Sequence, residues 1–149
     1  MISKIVVPTD GSKASMRSVE YAVQFAEQVG ASIILVSVVD KTLLVPQAIP
    51  APSSSKTLVE PIEDYLRTAA DSYLQEAEML CSGRGVKTRT AVRVGRPVDE
   101  IIKEAEKSKA DVIVIGSRGQ SALKAAVLGS VAYGVISKES KIPVLVVRR

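Results

Sequence analysis

The residues of this chain whose types and spacing could do chemistry are concentrated between positions 116 and 130. The segment Gly116-Ser117-Arg118-Gly119 is followed, after nine intervening residues, by the pair Gly129-Ser130. Glycines let backbone N–H groups approach an anion, and a helix start adds unpaired donors and a favourable dipole. Because an apolar run precedes this segment and a helical pattern follows it, the spacing predicts a phosphate-binding loop.

A second polar loop, Pro8-Thr9-Asp10-Gly11-Ser12, follows the first apolar run of the chain. Asp10 or Ser12 could cap the next helix, which would stabilise it by ~1 kcal/mol. Alternatively, the Asp10 carboxylate could hold a Mg²⁺ ion bound to phosphates. Ligands of open α/β sheets bind beyond the carboxyl ends of the strands, where the strand order reverses. If the strands before the two loops are neighbours, both loops face one crevice.

Each residue of the phosphate-binding pattern also has an ordinary structural interpretation. Ser130 could be a simple N-cap, Gly129 a turn residue, and Arg118 and Lys124 solvated surface cations. The coincidence of three glycines and a hydroxyl in one crossover favours phosphate binding for the set, whereas the two cations remain open.

Several familiar sites are excluded by the sequence itself. The chain contains no histidine, so a Ser-His-Asp triad, a Cys-His pair and a His-ligated zinc site are all absent. Neither a Gly-x-x-x-x-Gly-Lys-Ser/Thr loop nor a Gly-x-Gly-x-x-Gly fingerprint after the first strand is present. Cys81 is the single cysteine and is interpreted as a small core or boundary residue. With no evident catalytic base, the pattern favours binding over turnover.

Composition and charge describe the class of protein. The net charge is +4 and the basic residues are spread along the chain, which argues against nucleic acid as a partner. No apolar run reaches the ~20 residues that a membrane span requires, and the N-terminus lacks the pattern of a signal peptide. A soluble protein is therefore expected, and the single cysteine fits a reducing, cytoplasmic location.

The positioning elements alternate along the chain and predict an α/β fold with a mainly parallel sheet, one domain over residues 1–149. Predicted strands lie at Ile2–Val7, Ile33–Val39, Val86–Val94, Asp111–Ile115 and Ile142–Val147. Predicted helices lie at Ser12–Val29, from Ile62 to about Gly83, from Pro97 onward, and at Val131–Lys138. The Pro- and Ser-rich segment Lys41–Pro61 lacks a periodic pattern, which predicts a mobile flap or a disordered loop.

Four segments resemble landmarks of the universal stress protein family. They are Lys4-Ile5-Val6-Val7-Pro8-Thr9-Asp10-Gly11-Ser12, Gly95-Arg96-Pro97, the stretch from Asp111 to Gly119, and Leu128-Gly129-Ser130-Val131. The ending Ile142-Pro143-Val144-Leu145-Val146-Val147 is similar as well, so the resemblance omits only Lys41–Pro61. Within that family, the Gly-x-x-Gly-x9-Gly-Ser/Thr pattern distinguishes the members that bind ATP.

The resemblance implies a Rossmann-like open sheet of five parallel strands in the order 3-2-1-4-5, with helices on both faces. It also implies an ATP site with Mg²⁺ or Mn²⁺. By position, phosphates and ribose would contact Gly116, Gly119, Gly129 and Ser130, with Val131 and Arg118 nearby. Pro8, Thr9 and Asp10 would line the crevice, with Asp10 near a metal or the ribose, and the backbone of Val38 would contact adenine.

The last predicted strand, Ile142–Val147, is almost entirely apolar and would be an edge of that sheet. Exposed apolar edges invite pairing, and members of the family often dimerise through this strand, so a homodimer is predicted.

Three functions remain open from the sequence. The leading hypothesis is a nucleotide-binding regulatory or stress-response module that hydrolyses ATP slowly if at all. The alternatives are an ATP-hydrolysing or nucleotidyl-transferring enzyme, and a structural or client-binding dimer with a vestigial site.

Overall fold

The computed structural model describes residues 1–44, 52–118 and 128–148, and only the backbone of 43–44 and 52–60. The strands are β1 (Lys4–Pro8), β2 (Ser32–Asp40), β3 (Thr88–Gly95), β4 (Val112–Gly116) and β5 (Val144–Val147). The helices are α1 (Lys13–Val29), α2 (Pro52–Ser82), α3 (Pro97–Lys107) and α4 (Ser130–Ser137), and a 3₁₀ turn covers Lys41–Leu44.

The strands form one parallel sheet in the order β3-β2-β1-β4-β5. This order confirms the predicted α/β class and places β1 beside β4. Because consecutive segments run outward from β1 in opposite directions, the strand order reverses between these two strands. The loops that follow β1 and β4 therefore leave the same edge of the sheet at the switch point.

Alternating residues of the strands build two separate cores. Ile33 and Leu35 belong to the cluster that packs against α1 and α2. Ile34 and Val36 belong to the cluster that packs against α3 and α4. Helices thus cover both faces, which explains why the inner strands are apolar at every position.

Local signals set the ends of α1. The Ser12 hydroxyl accepts a hydrogen bond from Ser15 N at 3.1 Å, and Gly30 ends the helix with φ of +72°. Ser12 is therefore the N-cap, as one of the two sequence interpretations proposed.

The predicted loop Lys41–Pro61 needs a correction. Lys41–Leu44 is a 3₁₀ turn, and α2 begins at Pro52 instead of near Ile62. A proline fits the first helical position because its φ is already helical and no N–H is needed there. Pro61 lies inside the helix, where proline only removes one backbone bond, so treating it as the end of the loop was wrong. Residues 45–51 of that loop lie outside the described residues.

The two edges of the sheet differ in chemistry. On β3, Arg93 Nε lies 2.9 Å from Glu100 of α3, and Arg89 lies 3.7 Å from Glu104. Burial raises the pKa of Glu100, but hydrogen bonds from Arg93 and Lys103 outweigh it and hold that pKa below its usual value. The other edge, β5, carries only Val144–Val147, so the apolar strand is shorter than the predicted Ile142–Val147.

None of the helices in the described residues is both long and apolar enough to cross a bilayer. The buried thiol of Cys81 has its pKa raised to about 11, by burial first and by Glu78 second. This agrees with its interpretation as a core residue.

Asp111 joins the start of β1 to the start of β4. Its Oδ2 accepts hydrogen bonds from Ser3 N at 2.8 Å, Lys4 N at 2.9 Å and Ser3 Oγ at 3.0 Å. The two backbone bonds are the main reason that the pKa of this carboxyl lies below its usual value. A lowered pKa contributes stability that is present above the unfolded-state pKa and is lost as the pH falls through the folded-state value.

We therefore expect Asp111→Ala to lower the unfolding temperature at pH 7, and the difference from the wild type to shrink below about pH 4. Thermal unfolding followed by circular dichroism across this range measures the difference. Asp111→Asn is the matched control, because its amide oxygen can still accept and does not titrate. An Asp111→Ala penalty that stays constant down to pH 2 would contradict the assignment.

Candidate functional site

A cavity of about 330 Å³ opens at the carboxyl edge of the sheet, across the ends of β1, β2 and β4. Every predicted site residue within the described part of the chain lines it. These residues are Pro8, Thr9, Asp10, Val38, Gly116, Arg118, Gly129, Ser130 and Val131. The remaining predicted residue, Gly119, lies outside the described residues. The crevice that the sequence argument made conditional on strand order is therefore present.

The start of α4 forms one wall of this cavity. Gly129 is the N-cap, with φ of −68° and ψ of 159°, and Ser130 is the first helical residue, so the alternative of Ser130 as an N-cap is wrong. The first helical hydrogen bond runs from Tyr133 N to Gly129 O at 2.9 Å. The amides of Ser130, Val131 and Ala132 precede that bond, and all three residues line the cavity. Amides in this position are the donors with which helix starts bind anions.

Ser117 ties the start of α4 to the sheet. Gly129 donates its N–H to Ser117 O, and Ser117 N donates to Val147 O at 2.9 Å. The contribution of Gly129 is therefore space, since its own amide is already bonded. Gly116 is close-packed in another direction, because a Cβ there would lie 3.2 Å from Ala14 O.

The loop after β1 forms the facing wall. Asp10 Oδ1 accepts a hydrogen bond from Ser12 N at 3.0 Å, which orients the carboxylate within the turn. Gly11 has φ of +80°, and a Cβ at that position would collide with the ring of Tyr73. Glycine is thus required here for backbone conformation and for the close approach of α2.

The structure adds residues that sequence reasoning did not assign to the site. Asp40 lines the cavity beyond β2, where its Oδ1 accepts from Thr42 N at 2.9 Å and from Thr42 Oγ1 at 2.6 Å. A stripe of α2 also lines it, consisting of Leu66, Ala69, Ala70 and Tyr73. The helical spacing of this stripe was visible in the sequence, but its position over the strand ends depends on how α2 packs.

The cavity has two lobes, one on each face of the sheet. The first lobe, here the α4-side lobe, lies with Val36, Val38, Ile115, Pro97, Ile101 and the start of α4. The second lobe, here the α2-side lobe, lies with Thr9, Ser15, Ser37, Val39, Leu66, Ala69, Ala70 and Tyr73. Ser37 and Val39 continue the alternation of Ile33 and Leu35, which places them on the α1 and α2 face.

The charges around the cavity suit a phosphate carrying a cation. Arg118 is on the β4 side, and the carboxylates of Asp10 and Asp40 lie beyond β1 and β2. In the described part of the chain, no group of three or more acidic, histidine or cysteine side chains gathers to hold a metal. A hard cation held by one carboxylate together with nucleotide phosphates would fit these residues, because Mg²⁺ usually keeps few protein ligands.

The sequence and its architecture match known proteins over almost the whole chain. The model of the universal stress protein family matches residues 1–148. The chain belongs to the universal stress protein family. The five-stranded order and the two glycine-bearing walls of the cavity are thus features of a universal stress protein domain, in agreement with the resemblance found in the sequence.

Curated relatives extend this result. Universal stress protein MJ0531 of Methanocaldococcus jannaschii is 37% identical over 149 residues, with 100% of this chain and 84% of that protein covered. Universal stress protein YxiE of Bacillus subtilis is 30% identical over 149 residues, with 99% of this chain and 100% of that protein covered.

Solved structures of the family superpose on this universal stress protein. The structure of MJ0577 from M. jannaschii has a TM-score of 0.86 and 31% identity, covering 100% of this chain and 97% of that one. The crystal structure of a universal stress protein in complex with cAMP has a TM-score of 0.68 and 29% identity, covering 99% and 97%.

Proposed function

We propose that this universal stress protein binds ATP in the α4-side lobe and acts as a nucleotide-dependent regulatory module, with slow hydrolysis at most. The observation that carries the proposal is the start of α4, where the three amides of Ser130, Val131 and Ala132 line the cavity opposite Asp10. A similar protein has been crystallised with cAMP, which supports an adenine nucleotide as the ligand.

Each part of the cavity would contribute differently to nucleotide binding. The helix-start amides and Arg118 would bind phosphate oxygens, and Gly129 would leave room for them. Asp10 would hold a Mg²⁺ or Mn²⁺ ion carried by the phosphates, or would accept from the ribose. The backbone of Val38, at the end of β2, would contact adenine. When bound, the cation would neutralise phosphate charge.

A regulatory role is favoured over an enzymatic one because the cavity holds no residue suited to serve as a general base beyond Asp10 and Asp40 among the described lining residues. Both carboxylates already accept hydrogen bonds from their own turns. Phosphoryl transfer can still proceed through positioning alone, so hydrolysis must be measured separately.

Isothermal titration calorimetry with ATP, AMP and cyclic AMP, with and without Mg²⁺, tests the proposal. We expect ATP to bind more tightly than AMP, because only ATP presents β- and γ-phosphates to the start of α4. The absence of heat with all three ligands would refute nucleotide binding. Sustained phosphate release of many equivalents per protomer would instead support an enzyme.

We further propose that two copies pair through β5. This strand is an apolar edge, whereas the other edge carries Arg89 and Arg93 in ion pairs with α3. An unpaired apolar edge is the part of a sheet most prone to strand addition.

A further inference from the structure

We infer that the α2-side lobe is a second binding compartment, which takes a small uncharged molecule about one ring in size that carries a hydroxyl group. The inference rests on the proposed function only in assigning the nucleotide to the other lobe. The two compartments share one cavity and lie on opposite faces of the sheet.

The hydroxyl of Ser37 is the main observation. Ser37 is only 3% exposed, lines the cavity, and its side chain makes no hydrogen bond to a described residue. No side-chain polar atom of the described residues is both fully enclosed and unpartnered. The Ser37 oxygen must therefore reach the open space of the lobe, where it offers a donor and an acceptor to a ligand.

The other hydroxyls of the lobe divide into satisfied and unsatisfied groups. Thr9 Oγ1 and Ser15 Oγ lie 3.1 Å apart, and Ser15 Oγ also donates to Ser12 O at 2.9 Å. The hydroxyl of Tyr73, like that of Ser37, has no partner among the described residues. Two hydroxyls that line one lobe are thus available at the same time.

An ordinary structural role does not explain Ser37. Its neighbours on the same face of β2, Ile33 and Leu35, are buried hydrophobics that pack against α1 and α2. A valine or leucine at position 37 would continue that core, whereas an unpartnered hydroxyl weakens it. The serine leaves both space and polarity beneath Ala70 and Tyr73, at the end of the sheet where ligands bind.

The lining determines the class of molecule. None of the residues that define the α2-side lobe is charged, and their apolar members, Val39 and Ala70 among them, suit an aliphatic or aromatic body. The carboxylates of Asp10 and Asp40 line the same cavity and disfavour an anion, so phosphate belongs on the side of Arg118. An uncharged ring with a hydroxyl satisfies the apolar surface and pairs with Ser37 or Tyr73 together.

Phenol is a suitable probe, because it is uncharged at pH 7 and combines one ring with one hydroxyl. We expect phenol, titrated into methyl-labelled protein, to shift the Ala70 and Val39 methyl resonances. Ser37→Ala should weaken this binding about fivefold, which is the loss of one hydrogen bond. Toluene, which lacks the hydroxyl, should bind the wild type no better than phenol binds Ser37→Ala. Ser32→Ala, at the far end of the same strand, is the matched control and should leave phenol binding unchanged.

Ser37→Leu fills the lobe and should abolish the shifts, with circular dichroism confirming that the variant is folded. The inference is overturned if phenol shifts neither methyl, or if Ser37→Ala binds it as tightly as the wild type. It is equally overturned if saturating ATP displaces phenol by competition, because the lobe would then hold part of the nucleotide. Phenol binding with no ATP heat in calorimetry would refute the nucleotide proposal alone.

Discussion

Gly129→Val is expected to weaken ATP binding by at least about 100-fold while the protein stays folded, a loss of ~2.7 kcal/mol. Gly129 is buried at the N-cap of α4, where its N–H is already bonded to Ser117 O. A β-branched side chain at this position would occupy the space that the phosphates need. The backbone itself tolerates the change, because φ of −68° and ψ of 159° are accessible to every residue.

Calorimetry measures the loss of affinity, and thermal unfolding measures the cost to the fold. Valine is a poorer N-cap than glycine, so we expect a decrease of the unfolding temperature by only about 2–4 °C, equivalent to ~1 kcal/mol. Gly129→Ala is the graded control and should bind ATP with intermediate affinity. Unchanged affinity in the valine variant would place the ligand elsewhere.

Val146→Pro is expected to convert the proposed homodimer into a monomer. On β5, Pro143 O accepts from Ile113 N, and Val147 O accepts from Ser117 N. Backbone groups of a strand alternate in direction, so those of Val144 and Val146 point away from β4, toward a neighbouring chain. Proline at position 146 removes an outward N–H and leaves the pairing with β4 intact.

Light scattering or sedimentation at tens of micromolar protein measures the oligomeric state. Val146→Ala keeps the N–H and should remain a dimer, so it separates the effect of the backbone from that of the side chain. A wild-type monomer would refute pairing through β5, as would a proline variant that is still a dimer.

The sequence predicted the fold where its patterns are local. The apolar strands, the cap at Ser12 and the break at Gly30 each reflect chemistry within a few residues, and all are present. The start of α2 was misplaced because Pro52 and Pro61 were taken as helix breakers, although proline is compatible with both positions at a modest cost.

The candidate site was predictable as far as glycines and hydroxyls mark loops. Asp10, Gly116 and Ser130 were found by spacing alone, and the structure brings them to one cavity. The α2 wall was missed because it depends on packing between distant segments. Tyr73 reaches the cavity only because Gly11 lacks a side chain, and neither residue reveals that contact by its own neighbours in sequence.

The unequal edges of the sheet also limit how large an assembly can grow. At one end, Arg89 and Arg93 are engaged with glutamates of α3, so that strand presents fixed charges to any incoming chain. Joining two protomers through their β5 strands would use both apolar edges and leave a charged edge at each end of the combined ten-stranded sheet, twice the five strands of one chain. Such an assembly would be closed, with no adhesive end from which a filament could extend.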